Sequence, residues 1–128
     1  MRIAIVGSEE KYWNHDQMRQ VMEHIKYTLS QDDVTLVSGG CHKGGPDIWA
    51  EAIAVALGVD SMIFLPDEYV WSISGTHGRK GFKERNIEIA ESCDELHCYD
   101  PVERGWSGAM WTAKYADELG KQVYYHKY

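Results

Sequence analysis

The feature that most constrains this chain is a regular alternation between short apolar runs and amphipathic helical segments. Five runs have the length and composition of buried strands: residues 2–6, 34–37, 62–65, 95–99 and 122–126. Four helical patterns separate them, at about 16–30, 46–57, 82–93 and 107–119, with an aperiodic segment at 67–80. This order predicts an α/β fold: a doubly wound parallel sheet of about five strands, with helices on both faces.

Length and charge limit the number of domains that the chain can form and the classes of partner that it can bind. With 128 residues and no internal repeat or linker, it is expected to form a single domain, 1–128. Its 13 lysines and arginines against 20 acidic residues give a net charge of −7, which argues against long nucleic acid and anionic lipid as partners. No apolar run is long enough to cross a membrane. The 3 cysteines have no disulfide spacing and no signal pattern is seen, so the cytoplasm is the expected compartment.

In a doubly wound sheet, ligands bind beyond the carboxyl ends of the strands, and four segments of this chain fall there. They are Gly7-Ser8, 38–47, 66–86 and 100–108. The second segment carries 4 glycines within 39–45, in neither the P-loop nor the dinucleotide-binding spacing. Glycine lets backbone N–H groups approach an anion, and a helix N-terminus adds its positive end. We therefore expect a phosphate site here, although a tight turn that requires positive φ also explains the glycines.

A cationic cluster between His77 and Asn86 stands out in this acidic chain. It contains Arg79, Lys80, Lys83 and Arg85. A local positive patch inside a negative molecule favours a small anion, and Arg85, on the first turns of a helix, is placed for a bidentate contact with phosphate. The alternative is a solvated loop whose charges pair with Asp67 and Glu68.

Two acidic residues four positions apart, Asp47 and Glu51, share one face of the helix after the glycine loop. Either they are ordinary acidic residues near a helix N-terminus, or they bind ribose hydroxyls or act on a glycosidic bond. Glu51 is the candidate catalytic carboxylate. Ser107 is expected to cap the last helix and, with Gly108, to meet a second part of the ligand.

Histidines and cysteines give no strong sign of metal or thiol chemistry. The 6 histidines show no metal-binding spacing, so neither a metal site nor a cofactor is expected. Cys41 lies near a helix N-terminus, which predicts a lowered pKa, but no histidine–acid partner can be assigned to make it a nucleophile. The aromatic residues fit core or dimer packing, with base stacking as the alternative for Trp106, Trp71 and Tyr69.

Several of these segments together resemble the SLOG superfamily, which contains the DNA-processing-A and LOG proteins. The resemblance rests on IAIVGS at 3–8, VSGGCHKGGPD followed by AE at 37–51, RN at 85–86, SG at 107–108 and GKQV at 120–123. The resemblance covers nearly the whole chain. Within the superfamily, the chain is most similar to the small stand-alone YpsA-related members. It implies a Rossmann-like fold that binds a nucleotide or a nucleotide-derived ligand.

Pattern and resemblance together give one set of candidate residues. Those expected to bind ligand are Gly7, Ser8, Ser38, Gly39, Gly40, Cys41, Gly44, Gly45, Asp47, Arg85, Asn86, Ser107 and Gly108. The catalytic LOG branch cleaves the base–ribose bond of nucleoside monophosphates with a PGGxGTxxE loop whose glutamate is essential. The corresponding segment here, 104–111, has no glutamate, so Glu51 or Glu103 would have to supply that carboxylate.

Three functions therefore stay open. We favour binding of a small phosphorylated nucleoside or ADP-ribose-like ligand. The second is a nucleotide N-glycosidase, phosphoribohydrolase or deoxyribosyltransferase. The third is single-stranded nucleic-acid binding, which the charge of −7 disfavours because such grooves are basic. A homodimer is compatible with all three.

Overall fold

The strands form one parallel sheet, as the alternation in the sequence predicts. The computed structural model describes residues 1–73 and 78–128. Within those ranges the five strands are β1 (Arg2–Gly7), β2 (Thr35–Ser38), β3 (Asp60–Ile63), β4 (Glu95–Asp100) and β5 (Gln122–Lys127). Their order across the sheet is β3-β2-β1-β4-β5, and every neighbouring pair is parallel.

Helices cover both faces of this sheet. They are α1 (His15–Leu29), α2 (Pro46–Leu57), α3 (Phe82–Ser92) and α4 (Gly108–Glu118). The first two pack on one face against Ile3 and Ile5, and the last two pack on the other against Ala4 and Val6. Because β1 is buried on both sides, its apolar run is unbroken. The predicted Rossmann-like, doubly wound fold is confirmed.

The third strand lies two residues earlier than predicted, at Asp60–Ile63 instead of 62–65. This strand is at the edge of the sheet and pairs with β2 alone, from Thr35 opposite Asp60 to Ser38 opposite Ile63. The length of β2 therefore sets its bounds, and Leu65, 61% exposed, follows outside the sheet. The other boundaries differ from the prediction by at most one residue.

None of the helices in the described ranges has the length and apolar character needed to cross a bilayer.

Candidate ligand-binding site

A cavity of about 240 Å³ opens beyond the carboxyl ends of the central strands. The chain runs outward from β1 to β3 and then crosses to β4 on the other side, so this position is the switch point of the sheet. The volume is just below the roughly 300–1,000 Å³ of small-molecule sites, so the cavity is sized for one small ligand. Most of the predicted ligand-binding residues line it: Gly7, Ser8, Gly39, Cys41, Asp47, Arg85, Asn86, Ser107 and Gly108.

Two walls of the cavity are tied together by Asp100, which ends β4 and is 1% exposed. Ser8 Oγ donates to Oδ1 of Asp100, and Ser107 Oγ donates to the same oxygen over 3.0 Å. Ser107 Oγ also accepts the Met110 N–H over 3.1 Å, so it caps α4 as predicted. Asp100 thereby links the segment after β1 to the first turn of α4. Sequence reasoning missed Asp100. The feature that could have indicated its role is an acidic residue at the end of a buried strand.

Arg85 lines the cavity as a buried cation, 8% exposed. Its guanidinium donates to the Gly39 carbonyl and, over 2.8 Å, to Oδ1 of Asn86. A Cβ on Gly39 would lie 2.7 Å from Nη1 of Arg85, so this close approach requires glycine. No carboxylate among residues 1–73 and 78–128 forms an ion pair with this guanidinium. Because burying an unpaired charge is costly, a bound anion would stabilise it.

Asp47, in the first turn of α2, adds a buried carboxyl to the same lining. One oxygen accepts the Cys41 N–H over 3.3 Å, while the other, Oδ1, is buried without a partner in the described part of the chain. Burial raises the pKa of Asp47 from 3.8 to about 6, although Arg85 acts in the opposite direction. Buried polar atoms are nearly always hydrogen-bonded, so an Oδ1 without a partner in the described residues is unusual.

A second guanidinium in the lining belongs to Arg104, which sequence reasoning did not select. Its Nε–H is buried and finds no acceptor among the residues described here. The guanidinium lies 3.9 Å from the centre of the Tyr12 ring, and this cation–π contact orients it. Asp47 and Arg104 therefore both line the cavity, and each has one buried polar atom that finds no partner in the described part of the chain. The sequence feature that could have indicated Arg104 is a basic residue in the loop between the end of a strand and the start of a helix.

The cationic cluster of the sequence does not gather at this cavity. Arg79 pairs with Glu68 at 2.5 Å and Lys80 pairs with Glu88 at 2.7 Å. Of the cluster, only Arg85 lines the cavity, and His77 lies outside the described residues. Positions 82, 85, 86 and 89 form the face of α3 that turns toward the cavity, and position 83 is off that face.

Glu51 lies behind the glycine loop and does not line the cavity. Ser38 Oγ donates to Oε2 of Glu51 over 2.6 Å and accepts the Gly40 N–H over 3.2 Å. Ser38 and Gly40 are outside this lining too, and Gly40 lines a neighbouring cavity of about 80 Å³. These contacts fasten the start of the loop to α2. A catalytic role for Glu51 stays a prediction.

Gly44 and Gly45 also lie outside the lining, and they shape the turn that leads into α2. Gly45 has φ 108°, and a Cβ there would lie 2.4 Å from the Ser8 carbonyl oxygen. The Gly44 N–H closes the turn by donating to the Cys41 carbonyl over 3.1 Å. The tight-turn explanation therefore accounts for these two glycines, and Gly45 brings α2 against the segment after β1.

The thiol of Cys41 lines the cavity in its neutral form. Burial raises the pKa of Cys41, and the neighbouring Asp47 carboxylate raises it further. The prediction of a lowered pKa is therefore wrong, because desolvation and nearby negative charge outweigh the Lys43 backbone N–H and Arg85, which lower the pKa.

Aromatic rings form part of the cavity wall. Trp71 and Phe82 both line it, whereas Trp106 does not. Tyr69 lines the smaller cavity, where its ring stacks on His42 with centroids 4.0 Å apart. Of the three residues predicted as base-stacking candidates, Trp71 is therefore the one placed at the main cavity.

Comparison with solved structures identifies the fold. The DNA processing protein A of Streptococcus pneumoniae matches with a TM-score of 0.69 and 18% identity, over 97% of this chain and 49% of that one. The protein TM1055 matches with 0.69 and 19%, over 95% of this chain and 71% of that one. The molybdenum cofactor carrier protein of Chlamydomonas reinhardtii matches with 0.71 and 20%, over 99% of this chain and 77% of that one. This chain thus spans about half of DNA processing protein A.

The similarity to all three structures confirms the Rossmann-like fold that the resemblance in the sequence implies. Neither a family model nor a curated protein sequence matches the chain.

Proposed function

We propose that this SLOG-type fold binds one small phosphorylated, nucleotide-derived ligand in the 240 Å³ cavity. The observation that carries the proposal is that Asp47 and Arg104, each with one buried polar atom unpartnered among residues 1–73 and 78–128, line one cavity with the unpaired charge of Arg85. A ligand that offers both an anionic group and a hydroxyl donor satisfies this set. A nucleotide offers both.

We assign the anionic group to the guanidiniums of Arg85 and Arg104, which both line the cavity. Arg85 and Arg104 supply donors suited to phosphate oxygens. The helix α4 begins at Gly108, and Gly108 and Ala109 both line the cavity. Backbone N–H groups at a helix N-terminus, together with the positive end of its dipole, stabilise a phosphate there.

The remaining lining residues fit the nucleoside part of such a ligand. The Asp47 carboxyl accepts from a ribose hydroxyl, and the rings of Trp71 and Phe82 offer apolar faces to a base. One structural neighbour is named a carrier of the molybdenum cofactor, which supports a small ligand as the kind of partner.

Isothermal titration calorimetry against nucleoside mono-, di- and triphosphates and ADP-ribose tests the proposal. We expect at least one of them to bind with a Kd below about 1 mM. Arg85→Gln should weaken that binding by about 10- to 150-fold, because a hydrogen bond to a charged group contributes about 1.5–3 kcal/mol. Arg79→Gln is the matched control, since Arg79 is 55% exposed and pairs with Glu68 outside the cavity. Failure of every compound to bind the folded wild type, or equal losses in both variants, would contradict the proposal.

A second candidate function is cleavage of the base–ribose bond of a nucleotide, and Asp47 favours it. A carboxyl with a pKa of about 6 that lines a ligand cavity is suited to general acid–base catalysis near neutral pH. Incubation with nucleoside monophosphates should then release free base, measured by chromatography, and Asp47→Asn should abolish the release. Glu51→Gln should retain it, because Glu51 lies behind the loop. Release lost in Glu51→Gln alone would assign the chemistry to Glu51, and no release from wild type would exclude this candidate.

A further inference from the structure

Three histidines from three different elements converge on the face of the sheet that α1 covers. His24 belongs to α1, His97 to β4 and His126 to β5. The parallel register places Tyr99 opposite His126, so His97 and His126 point to the same face. One ring nitrogen of each histidine lies within 4.8 Å of the other two. None of the three lines the cavity described above, and their distance in sequence explains why spacing predicted no metal site.

In two of these rings, one nitrogen forms a hydrogen bond with a side-chain oxygen. His97 Nε2 lies 3.2 Å from Oε2 of Glu95, and His24 Nδ1 lies 2.7 Å from the Tyr99 hydroxyl. Because Nε2–H of His97 donates to the Glu95 carboxylate, Nδ1 of His97 accepts from Nε2–H of His126, and a metal ion would take the place of that hydrogen bond. Histidines that bind a metal almost always have the second ring nitrogen held by a carboxylate or another oxygen, which fixes the ring orientation.

The spacing within the cluster is close to that of ligands on one ion. Nδ1 of His97 lies 2.8 Å from Nε2 of His126. Two imidazoles on a tetrahedral zinc ion, each about 2.0–2.1 Å from it, have nitrogens about 3.3 Å apart. Binding of the ion would therefore open this pair by about 0.5 Å and bring the His24 nitrogen, now within 4.8 Å of the other two, to a similar distance.

We propose that His24, His97 and His126 bind one divalent transition-metal ion of the kind that imidazole prefers, with Zn²⁺ as its representative and a fourth position open to water or another small ligand. Such an ion fastens α1 to the β4–β5 side of the sheet. Glu95 and Tyr99 act as positioning residues for the rings.

Calorimetric titration of ZnCl₂ into metal-free, untagged protein tests this site. We expect one Zn²⁺ per chain and a rise in Tm with metal. His126→Gln should reduce the affinity by more than about 100-fold, and Glu95→Gln by about 10- to 100-fold, the range for an outer partner of a ligand. His15→Gln is the matched control, because His15 is exposed at the start of α1, and its affinity should equal that of wild type.

A measurement on the wild type covers the case in which His126→Gln does not fold. In ¹⁵N NMR of the imidazole nitrogens, one equivalent of Zn²⁺ should shift the signals of His24, His97 and His126 together and leave those of the other histidines in place. Binding of less than one equivalent, shifts confined to other histidines, or unchanged affinity in folded His126→Gln would overturn the proposal.

Discussion

At the scale of single residues, Asp47 shows a conflict between stability and binding. Its pKa is about 6 in the folded protein and 3.8 ordinarily, so the folded state holds the proton more tightly. The resulting stability is fully present below pH 3.8 and is lost as the pH rises through about 6. At 1.36 kcal/mol per unit of pKa, the loss at neutral pH is about 3 kcal/mol. A carboxylate kept there at this cost to stability is typical of a functional site.

Asp47→Asn should therefore stabilise the protein at pH 7 by up to about 3 kcal/mol, because the amide keeps an oxygen for the Cys41 N–H and carries no charge. The decline in stability between pH 4 and 6.5 should become shallower, while nucleotide binding weakens. Urea denaturation across this pH range measures both changes, with Asp16→Asn as a control on an exposed carboxylate. A variant that is less stable than wild type at pH 7, with an unchanged pH profile, would contradict this account of Asp47.

At the scale of elements, most of the fold follows from local chemistry that a sequence displays. The four core residues of β1 are apolar without interruption because helices cover both of its faces. The edge strand β3 was misplaced, since its bounds depend on its pairing with β2.

Position in the sheet decides which of the predicted site residues line the cavity, except where a distant partner holds a side chain elsewhere. Gly39 follows the end of β2, and Arg85 lies in the first turn of α3. Both line the cavity. The Glu51 carboxylate is drawn away by a hydrogen bond from Ser38, which no local pattern reveals. Asp100 and Arg104 gain their roles through contacts made only after folding, with Ser8 and Tyr12 respectively.

At the scale of the whole molecule, topology and charge act together. The strand order places the cavity at the switch point of the sheet, where segments after β1 and β2 meet the N-terminal turns of α3 and α4. The net charge of −7 repels long polyanions, whereas the guanidiniums of the buried Arg85 and the half-buried Arg104 attract a small anion locally. The acidic total and a phosphate site are therefore compatible in one small chain.

The central claim, that a phosphorylated nucleoside-type ligand binds in this cavity, is tested most directly by NMR of ¹⁵N-labelled protein titrated with the nucleotides and ADP-ribose. The account predicts that one of them shifts the amide signals of Gly39, Cys41, Gly108 and Ala109 together, along with the Arg85 side-chain signal, in a saturable manner. Shifts that cluster away from these residues, or no saturable shift with any compound, would contradict it.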